Sequence, residues 1–394
     1  MIGISKLYCG ALEAADVLRY GRRSQELPSH LLQFAQDKQP VVVWNVGQRC
    51  NLRCVHCYAH AQAHADSDAL SEVQGMALID DLAAFGVPVL LFSGGEPLLH
   101  PRIFALIGYA RAQGLRAVLS TNGTLITPAL AEQLQQCGLS YVGISLDGLR
   151  ATNDAFRGAP GAFELALAGV RHCRAAGMKV GLRFTMHRGN VGELHGIFDL
   201  LHAEQIPRIC FYHLVYAGRG AALVHDALNA EASRAAIDLI IDRTAQLHRD
   251  GFPAEVLTVD NHCDGPYLYL RQLREDPARA AETLALLRLN GGNSSGIGIG
   301  CVSWDGEVYA DQFWRHHTFG NVKTRPFSAI WTDRSDPLMA GLKDRKSRLH
   351  GRCARCQWLD ICNGNFRVRA EAVANDVWAS DPACYLTDAE IGIE

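Results

Sequence analysis

The alternation of strand-like and helix-like segments constrains the fold of this chain more than any other feature. Short apolar runs rich in β-branched and aromatic residues recur six times, with helix-like segments between them, at 41–44, 89–92, 117–120, 141–145, 180–186 and 209–214. Helix starts are marked by Ser71 with Gln74, a capping box, and by Thr127 followed by Pro128. Repeated strand–helix units require a parallel sheet with right-handed crossovers. The sequence therefore predicts a doubly wound sheet or an incomplete barrel.

The composition is that of an ordinary soluble globular protein. The 394 residues are 48% hydrophobic and 20% charged, with a net charge of −3, so no overall basic field is present to hold nucleic acid or an anionic membrane. Residues 1–23 lack the apolar core of a signal peptide, and the longest apolar run, 87–92, is too short to span a bilayer. Thirteen cysteines fit metal or redox chemistry better than disulfides. We expect a cytoplasmic protein without nucleic-acid or membrane partners.

Three cysteines directly follow the first predicted strand. Cys50, Cys54 and Cys57 stand in a Cys-x3-Cys-x2-Cys pattern, where a loop emerges at the carboxyl face of a parallel barrel. Three thiolates can hold three irons of a 4Fe-4S cubane and leave the fourth iron open to chelation by a small molecule. The alternative is that these cysteines are buried or bind zinc.

Polar residues follow the next strands at the same predicted rim. Gly94 and Gly95 precede Glu96 after the second strand, and paired glycines allow the backbone to approach a ligand that a Cβ would exclude. The third strand ends in the segment 120–123, the fourth ends in 145–148, and the fifth carries Arg183. The carboxyl ends of parallel strands meet at one edge, so the sequence predicts a single site there.

The cysteine triplet with Tyr58, the Gly94–Glu96 turn and the Ser-Leu-Asp-Gly segment 145–148 together resemble the radical S-adenosylmethionine (SAM) superfamily, over about 40–250. The resemblance implies a partial (βα)6 barrel and an open iron chelated by SAM, which one electron cleaves to methionine and a 5′-deoxyadenosyl radical. It implies SAM contacts of several kinds: the Gly94–Glu96 turn at the methionine amine, Tyr58 at the adenine, Ser145 and Arg157 at the ribose and carboxylate, with Asn122 and Arg183 nearby.

A second cysteine group lies near the end of the chain. Cys353, Cys356, Cys362 and Cys384 supply four thiolates for one closed site, which suits zinc or an iron–sulfur cluster. The group resembles the SPASM or twitch modules that follow many radical SAM barrels, which implies a second 4Fe-4S cluster. The full seven-cysteine pattern is not matched, so one auxiliary cluster is expected rather than two. The remaining cysteines are expected to be small core residues: Cys9, Cys137, Cys173, Cys210, Cys263 and Cys301.

The alternation of strands and helices is predicted to stop near Asp250. A helix over 277–288, with Asp276 as its N-cap, then leads to the C-terminal module. We therefore divide the chain into an N-terminal extension (1–36), a barrel (37–250), a linking helical segment (251–295) and a SPASM/twitch-like domain (296–394). Three histidines are candidate substrate contacts or proton donors, although packed or solvated histidine is the competing interpretation: His213, His316 and His317.

A finer resemblance is to the heme d1 biosynthesis radical SAM proteins (NirJ-type), on stretches such as 216–220, 291–296 and 335–342. It implies a siroheme-derived tetrapyrrole substrate, 12,18-didecarboxysiroheme, that loses two propionate side chains, and a reductant such as flavodoxin or ferredoxin. Arg183 and Arg219 are the first candidates to bind the substrate carboxylates. The alternatives are a related heme-pathway enzyme, a SPASM peptide maturase, and a non-catalytic iron–sulfur electron carrier.

Overall fold

The computed structural model describes residues 1–10, 21–27, 32, 34, 35, 37, 39–64 and 68–393. Its centre is one ten-stranded sheet in the order β1-β8-β7-β6-β5-β4-β3-β2-β9-β10. The strands are β1 (Ile2–Gly3), β2 (Val41–Asn45), β3 (Val89–Ser93), β4 (Arg116–Thr121), β5 (Tyr141–Ser145), β6 (Val180–Met186), β7 (Arg208–His213), β8 (Glu255–Val259), β9 (Ile299–Val302) and β10 (Val308–Tyr309). Strands β2 to β7 correspond to the six predicted runs and pair in parallel in chain order, which confirms the predicted barrel.

Helices lie between these strands along the chain and, after β10, make up most of the C-terminal region. They are α1 (Ile4–Cys9), α2 (Glu72–Phe85), α3 (Ile103–Ala112), α4 (Pro128–Gln136), α5 (Arg150–Arg157), α6 (Ala162–Ala175), α7 (Leu194–Ala203), α8 (Ala230–Arg249), α9 (Asp264–Glu275), α10 (Pro277–Asn290), α11 (Phe327–Thr332), α12 (Pro337–Lys343), α13 (Arg352–Arg355), α14 (Leu359–Cys362), α15 (Arg367–Ala374) and α16 (Asp388–Ile391). The predicted caps form: Ser71 and Gln74 make a capping box, and Thr127 accepts a hydrogen bond from the Leu130 amide. Asp276 likewise caps α10.

The main core lies between the sheet and these helices. Alternate residues along each strand, such as Leu90 and Phe92 of β3 and Phe211 of β7, are fully buried in it. The intervening residues face the inside of the barrel, and several of these are only half-buried, including Ser145, Arg183 and Tyr212. The inner face of the barrel is therefore polar and accessible near the carboxyl ends of its strands.

The prediction that the alternation stops near Asp250 is wrong. Strand β8 follows at Glu255–Val259 and pairs in parallel with β7, inside the segment predicted to be helical. The described part of the N-terminal extension contributes β1, antiparallel to β8. At the other edge β9 pairs in parallel with β2, so the C-terminal region extends the same sheet. These pairings are hard to foresee because they join segments far apart in the sequence. Within the described residues, no helix is long and apolar enough to cross a membrane.

Candidate active site

The cysteine loop begins where β2 ends and lies at the carboxyl rim of the barrel. Each of its three sulfurs accepts a hydrogen bond: Cys50 from the Leu52 amide at 3.4 Å, Cys57 from the Ala61 amide at 3.4 Å, and Cys54 from Arg157 Nη1 at 3.6 Å. Burial raises the pKa of the Cys50 thiol to about 12 and also raises that of Cys54. Such thiols become thiolates when they bind a cation, so their donors and burial fit a metal cluster.

The distances between the cysteine sulfurs distinguish a zinc site from an iron–sulfur cluster. Among the residues that the structure describes, no three cysteine sulfurs lie within 4.8 Å of one another, in this loop or in the C-terminal group. Thiolates on a single tetrahedral zinc ion are roughly 3.8 Å apart, because each Zn–S bond is about 2.3 Å. Ligands of a cubane are spread over different irons and stand farther apart. The spread of both cysteine groups therefore fits iron–sulfur clusters better than zinc.

The paired glycines after β3 serve the cysteine loop itself. A Cβ on Gly94 would lie 2.4 Å from the carbonyl oxygen of Gly47, and one on Gly95 would lie 2.3 Å from that of Arg49. The Gly95 and Glu96 amides donate to these same carbonyls, each at 2.8 Å. The backbone of the cysteine loop is therefore the neighbour that requires both glycines, and the expected contact of this turn with a ligand stays a prediction.

Glu96 joins the ends of β3 and β4. Its carboxylate is 3% exposed and accepts hydrogen bonds from the Thr121 hydroxyl at 2.7 Å, the Asn122 amide at 2.9 Å and the Leu98 amide at 3.1 Å. The Asn122 side chain in turn reaches Cys50 Sγ at 3.9 Å and Asn51 Oδ1 at 2.9 Å. The predicted SAM contacts Glu96 and Asn122 thus lie together beside the first cysteine.

Arg157 is already paired within the protein. It forms a salt bridge with the fully buried Asp147, in addition to its contact with Cys54. Asp147 also accepts a hydrogen bond from the Thr185 amide at 2.6 Å. The backbone carbonyls of Phe156 and Arg157 accept hydrogen bonds from the cysteine loop at Val55 and Arg53. The end of α5 therefore supports the cysteine loop, and Asp147 contributes by holding Arg157 in place. The motif 145–148 includes Asp147, but its sequence does not indicate this role.

Tyr58 stands between the barrel and the C-terminal region. Its hydroxyl donates to Asn45 Oδ1 at 3.0 Å and lies 3.1 Å from the Ser93 hydroxyl. Its ring packs edge-on against Phe313, with centroids 5.2 Å apart. The Asn45 amide also contacts the buried Cys301 sulfur at 3.4 Å. Tyr58 thus lies at the barrel mouth, and its contact with a bound nucleoside stays a prediction.

The Arg219 side chain lies against the cysteine loop. Its Nε donates to the Cys54 carbonyl and its Nη1 to the Ala61 carbonyl, both at 2.9 Å, while its amide donates to the Cys57 carbonyl at 3.0 Å. The Arg219 side chain thus holds the cysteine loop, while its buried Nη2 has no hydrogen-bond partner among the described residues, and its pairing with a substrate carboxylate stays a prediction. Sequence patterns do not show such a contact between segments about 160 residues apart.

Arg183 is the cation inside the barrel. It stands opposite Ser145 in the register of β5 and β6 and lies over the Tyr212 ring at 5.9 Å. Gly143 makes room for it, because a Cβ there would lie 2.4 Å from Arg183 Nε. No described carboxylate is within 4.0 Å of its guanidinium, so Arg183 is available to a ligand carboxylate. Ser145 is half-buried beside it.

The four C-terminal cysteines line one cavity. Cys353, Cys356, Cys362 and Cys384 share its wall with a fifth cysteine, Cys263. Cys263 is 1% exposed, as expected for a core residue, yet it also borders this cavity. Burial raises the pKa of the Cys356 thiol to about 11 and raises that of Cys362, so these thiols also fit a site where a metal keeps them ionised.

The histidines named in the sequence have different surroundings. His316 and His317 both point their Nε2 at Glu371, at 2.8 Å, and His316 is exposed. His213, at the end of β7, is buried with Nε2 3.0 Å from Asp264 Oδ2. Asp264 also accepts a 2.6 Å hydrogen bond from Tyr385, the neighbour of Cys384. Only His213 among these three stands at the end of a barrel strand.

Comparison with known proteins agrees with this geometry. The radical SAM superfamily model matches residues 44–201, and the model of the SPASM iron–sulfur cluster-binding domain matches 299–357. The solved structure of native anSMEcpe with bound AdoMet superimposes with a TM-score of 0.67 over 88% of this chain and 93% of that one, at 17% identity, which shows the shared fold. The chain belongs to the radical SAM superfamily and is a SAM-dependent enzyme with iron–sulfur clusters in its barrel and in its C-terminal region.

Within that superfamily, two of the similar proteins carry names from heme synthesis. The chain is 65% identical over 395 residues to the Fe-coproporphyrin III synthase of Methanosarcina barkeri, covering 100% of this chain and 99% of that protein. It is 43% identical to the pre-heme d1 synthase of Dinoroseobacter shibae, over 90% of this chain and 88% of that one. The chain is therefore a radical SAM enzyme of the heme-synthesis type.

Proposed function

We propose that this enzyme converts 12,18-didecarboxysiroheme to iron coproporphyrin III. The main support for this proposal is the 65% sequence identity, across the whole chain, to a protein named Fe-coproporphyrin III synthase. The two tetrapyrroles differ in two carboxymethyl side chains, and the product is more oxidised by two ring double bonds. Removing such groups from unactivated carbon suits radical chemistry, so the reaction agrees with the family of the enzyme.

Cys50, Cys54 and Cys57 would hold the catalytic cluster and Cys353, Cys356, Cys362 and Cys384 the auxiliary cluster. When bound there, the first cluster and SAM would supply a 5′-deoxyadenosyl radical able to remove a hydrogen atom from substrate. The protein's own contribution is to fix the cysteine loop through the Gly94–Glu96 turn, Arg157 and Arg219. Since Arg157 is paired with Asp147, Asn122 is the better supported contact for a polar group of SAM.

Two arginines are suited to the carboxylates of the substrate. Arg183 lies inside the barrel without a carboxylate partner among the described residues. Arg315 lies over the Trp304 ring at 4.1 Å, donates to the Ser303 hydroxyl, and has a buried Nη1 with no hydrogen bond. A planar guanidinium pairs with a carboxylate through two hydrogen bonds, so both can orient an acidic macrocycle over the barrel.

The heme d1 step predicted from the sequence is the second candidate. The 43% identity to pre-heme d1 synthase supports it, but the larger identity to the Fe-coproporphyrin III synthase favours the first. We also infer a small reducing partner, such as flavodoxin or ferredoxin, and a cytoplasmic location, because all thirteen cysteines are free of disulfides.

Product analysis tests the proposal. The anaerobically reconstituted enzyme, with SAM, dithionite and didecarboxysiroheme, should form 5′-deoxyadenosine together with a porphyrin of the mass of iron coproporphyrin III. A product that has lost propionate groups and gained oxygen would assign the heme d1 step instead. Stimulation of SAM cleavage by a peptide, without any effect of the tetrapyrrole, would replace both with a maturase function. Absence of 5′-deoxyadenosine would indicate an electron carrier.

A further inference from the structure

Asp260 is the residue that follows β8, at the carboxyl rim of the barrel. In the parallel pairing of β7 with β8, Tyr212 stands opposite Val259, so His213 and Asp260 are the next neighbours along the two strands. The cysteine loop, Glu96 and Asn122 follow other strands at the same rim. Asp260 therefore belongs to the ring of residues on which a substrate over the barrel would lie.

The Asp260 carboxyl is buried and has no hydrogen-bonding partner among the described residues. The residue is 7% exposed, and its Oδ2 is completely enclosed without a donor. An unpaired buried carboxyl is costly to keep, and native proteins satisfy most such groups. The other buried carboxylates at the rim, Glu96 and Asp147, are both paired. Asp260 differs from these two in having neither a salt bridge nor a hydrogen-bond donor among the described residues, which makes it a candidate for a ligand contact or a chemical role.

The backbone of Asp260 is also unusual. Its φ of +65° lies in the left-handed region, which residues with a Cβ seldom adopt. The Arg369 guanidinium donates to its backbone carbonyl at 2.8 Å and connects it to α15 of the C-terminal region. Strained conformations that the surroundings maintain are concentrated at functional sites. The positive φ and the hydrogen bond from Arg369 together fix the backbone of Asp260 at the rim.

Charged groups around Asp260 act in opposite directions. Burial raises the pKa of its carboxyl to about 7, whereas Arg369, the amino terminus and His213 lower it and Asp311 raises it. A carboxyl with such a pKa is partly protonated near neutral pH and can release its proton without a large penalty. These values support a role in proton transfer, which the geometry indicates independently.

We propose that Asp260 is the acid that protonates the carboxymethyl group as it leaves the macrocycle, an inference that rests on the proposed function. Once a hydrogen atom has been removed from the adjacent ring carbon, the bond to the side chain breaks, a ring double bond forms, and a carboxymethyl radical departs. This radical becomes acetate by gaining one electron from a low-potential one-electron donor and one proton. Asp260 supplies that proton to the carbon and regains it from solvent.

The experiment uses the reconstituted holoenzyme with didecarboxysiroheme in D₂O and measures acetate, its deuterium content and 5′-deoxyadenosine. The wild-type enzyme should release acetate with one deuterium in its methyl group. Asp260→Asn keeps the size of the side chain and suits a positive φ, so the fold should persist. It should lower acetate formed per 5′-deoxyadenosine by about a hundredfold, while SAM cleavage continues. Asp260→Glu should restore part of the ratio.

The control is Asp238→Asn on α8, whose carboxylate pairs with Arg271 on the outer surface, and it should behave as wild type. Wild-type acetate without deuterium overturns the role of Asp260 without using any variant. An unchanged ratio in Asp260→Asn with wild-type iron content also overturns it. If the wild-type enzyme forms neither acetate nor iron coproporphyrin III, the proposed function fails and the inference fails with it.

Discussion

The guanidinium of Arg219 donates a hydrogen bond to the backbone carbonyl of Cys54 at 2.9 Å. It donates a second hydrogen bond to the Ala61 carbonyl, so the segment that follows β7 is joined to both ends of the 54–61 part of the cysteine loop. We predict that Arg219→Ala weakens this loop by about 2–3 kcal/mol, because two charged hydrogen bonds are lost. Iron retained after gel filtration and the rate of SAM cleavage should both fall. Arg219→Lys should not restore iron retention or SAM cleavage, because the lysine ammonium lacks the planar guanidinium that donates to both carbonyls at once. Arg53→Ala, an exposed change in the same loop, is the control.

Replacing Cys50, Cys54 and Cys57 together by Ala should abolish SAM cleavage, because the catalytic cluster loses all of its protein ligands. Iron and sulfide at the C-terminal site should remain. The measurement is 5′-deoxyadenosine by mass spectrometry alongside iron analysis. Continued 5′-deoxyadenosine formation by this variant would show that the catalytic cluster is held elsewhere.

Changing Cys353, Cys356 and Cys362 to Ala should remove the auxiliary cluster. Iron should fall from about eight per chain, two cubanes of four, to about four after anaerobic reconstitution. The barrel cluster should keep its electron paramagnetic resonance signal. One equivalent of zinc in the wild-type protein, purified without air and lost in this variant, would contradict the assignment.

Gly95→Ala should destabilise the protein and impair loading of the barrel cluster. The new Cβ would stand 2.3 Å from the Arg49 carbonyl oxygen, so the cysteine loop would have to move. Gly108→Ala is a matched control within α3, where a Cβ meets nothing within 4 Å. There the change should raise stability by about 0.5–1 kcal/mol, as alanine is the better helix former. Thermal unfolding and iron content should be measured for both variants. If Gly95→Ala and Gly108→Ala have the same melting temperature and iron content, the role given to Gly95 is wrong.

The contribution of His262 to stability should fall with pH below about 6.5. Burial lowers the pKa of His262 well below its usual range, so below that pH the unfolded chain binds a proton that the folded chain refuses. Above pH 6.5 His262 is neutral in both the folded and the unfolded chain, so it does not reduce the free energy of unfolding. As the pH falls below 6.5, protonation of the unfolded chain lowers that free energy. Between pH 7.5 and 5.5 the loss from this residue is about 1.4 kcal/mol. Urea unfolding at both pH values should show a smaller difference in His262→Gln, and the wild-type difference in His225→Gln, an exposed control.

Local patterns predicted much of this architecture. The six apolar runs are the six parallel strands β2 to β7, and Ser71, Thr127 and Asp276 cap helices as expected. These features depend on neighbours in sequence, which is why they can be read from it. The close spacing of the cysteines likewise places them in two groups without any knowledge of the fold.

Contacts between distant segments were not predictable in the same way. The need for Gly94 and Gly95 comes from the backbone of another loop, and the role of Arg219 comes from carbonyls about 160 residues earlier. No sequence motif marks Asp260. What distinguishes this residue is that its carboxyl is buried and lacks a hydrogen-bonding partner among the described residues, and a sequence does not show either property. Only the three-dimensional arrangement shows which polar groups are already satisfied and which remain free.

The pairing of β2 with β9 has a consequence for how the protein is made. Val41 lies opposite Ile299, which leaves the ribosome more than 250 residues later. At usual rates of translation this delay is roughly 10 to 50 s. During that time the strand that leads into the cysteine loop has one unsatisfied edge, open to pairing with other nascent chains. The sheet is completed only once β9 and β10 have been synthesised, so we expect chaperone protection of the nascent chain and insertion of the iron–sulfur clusters after translation.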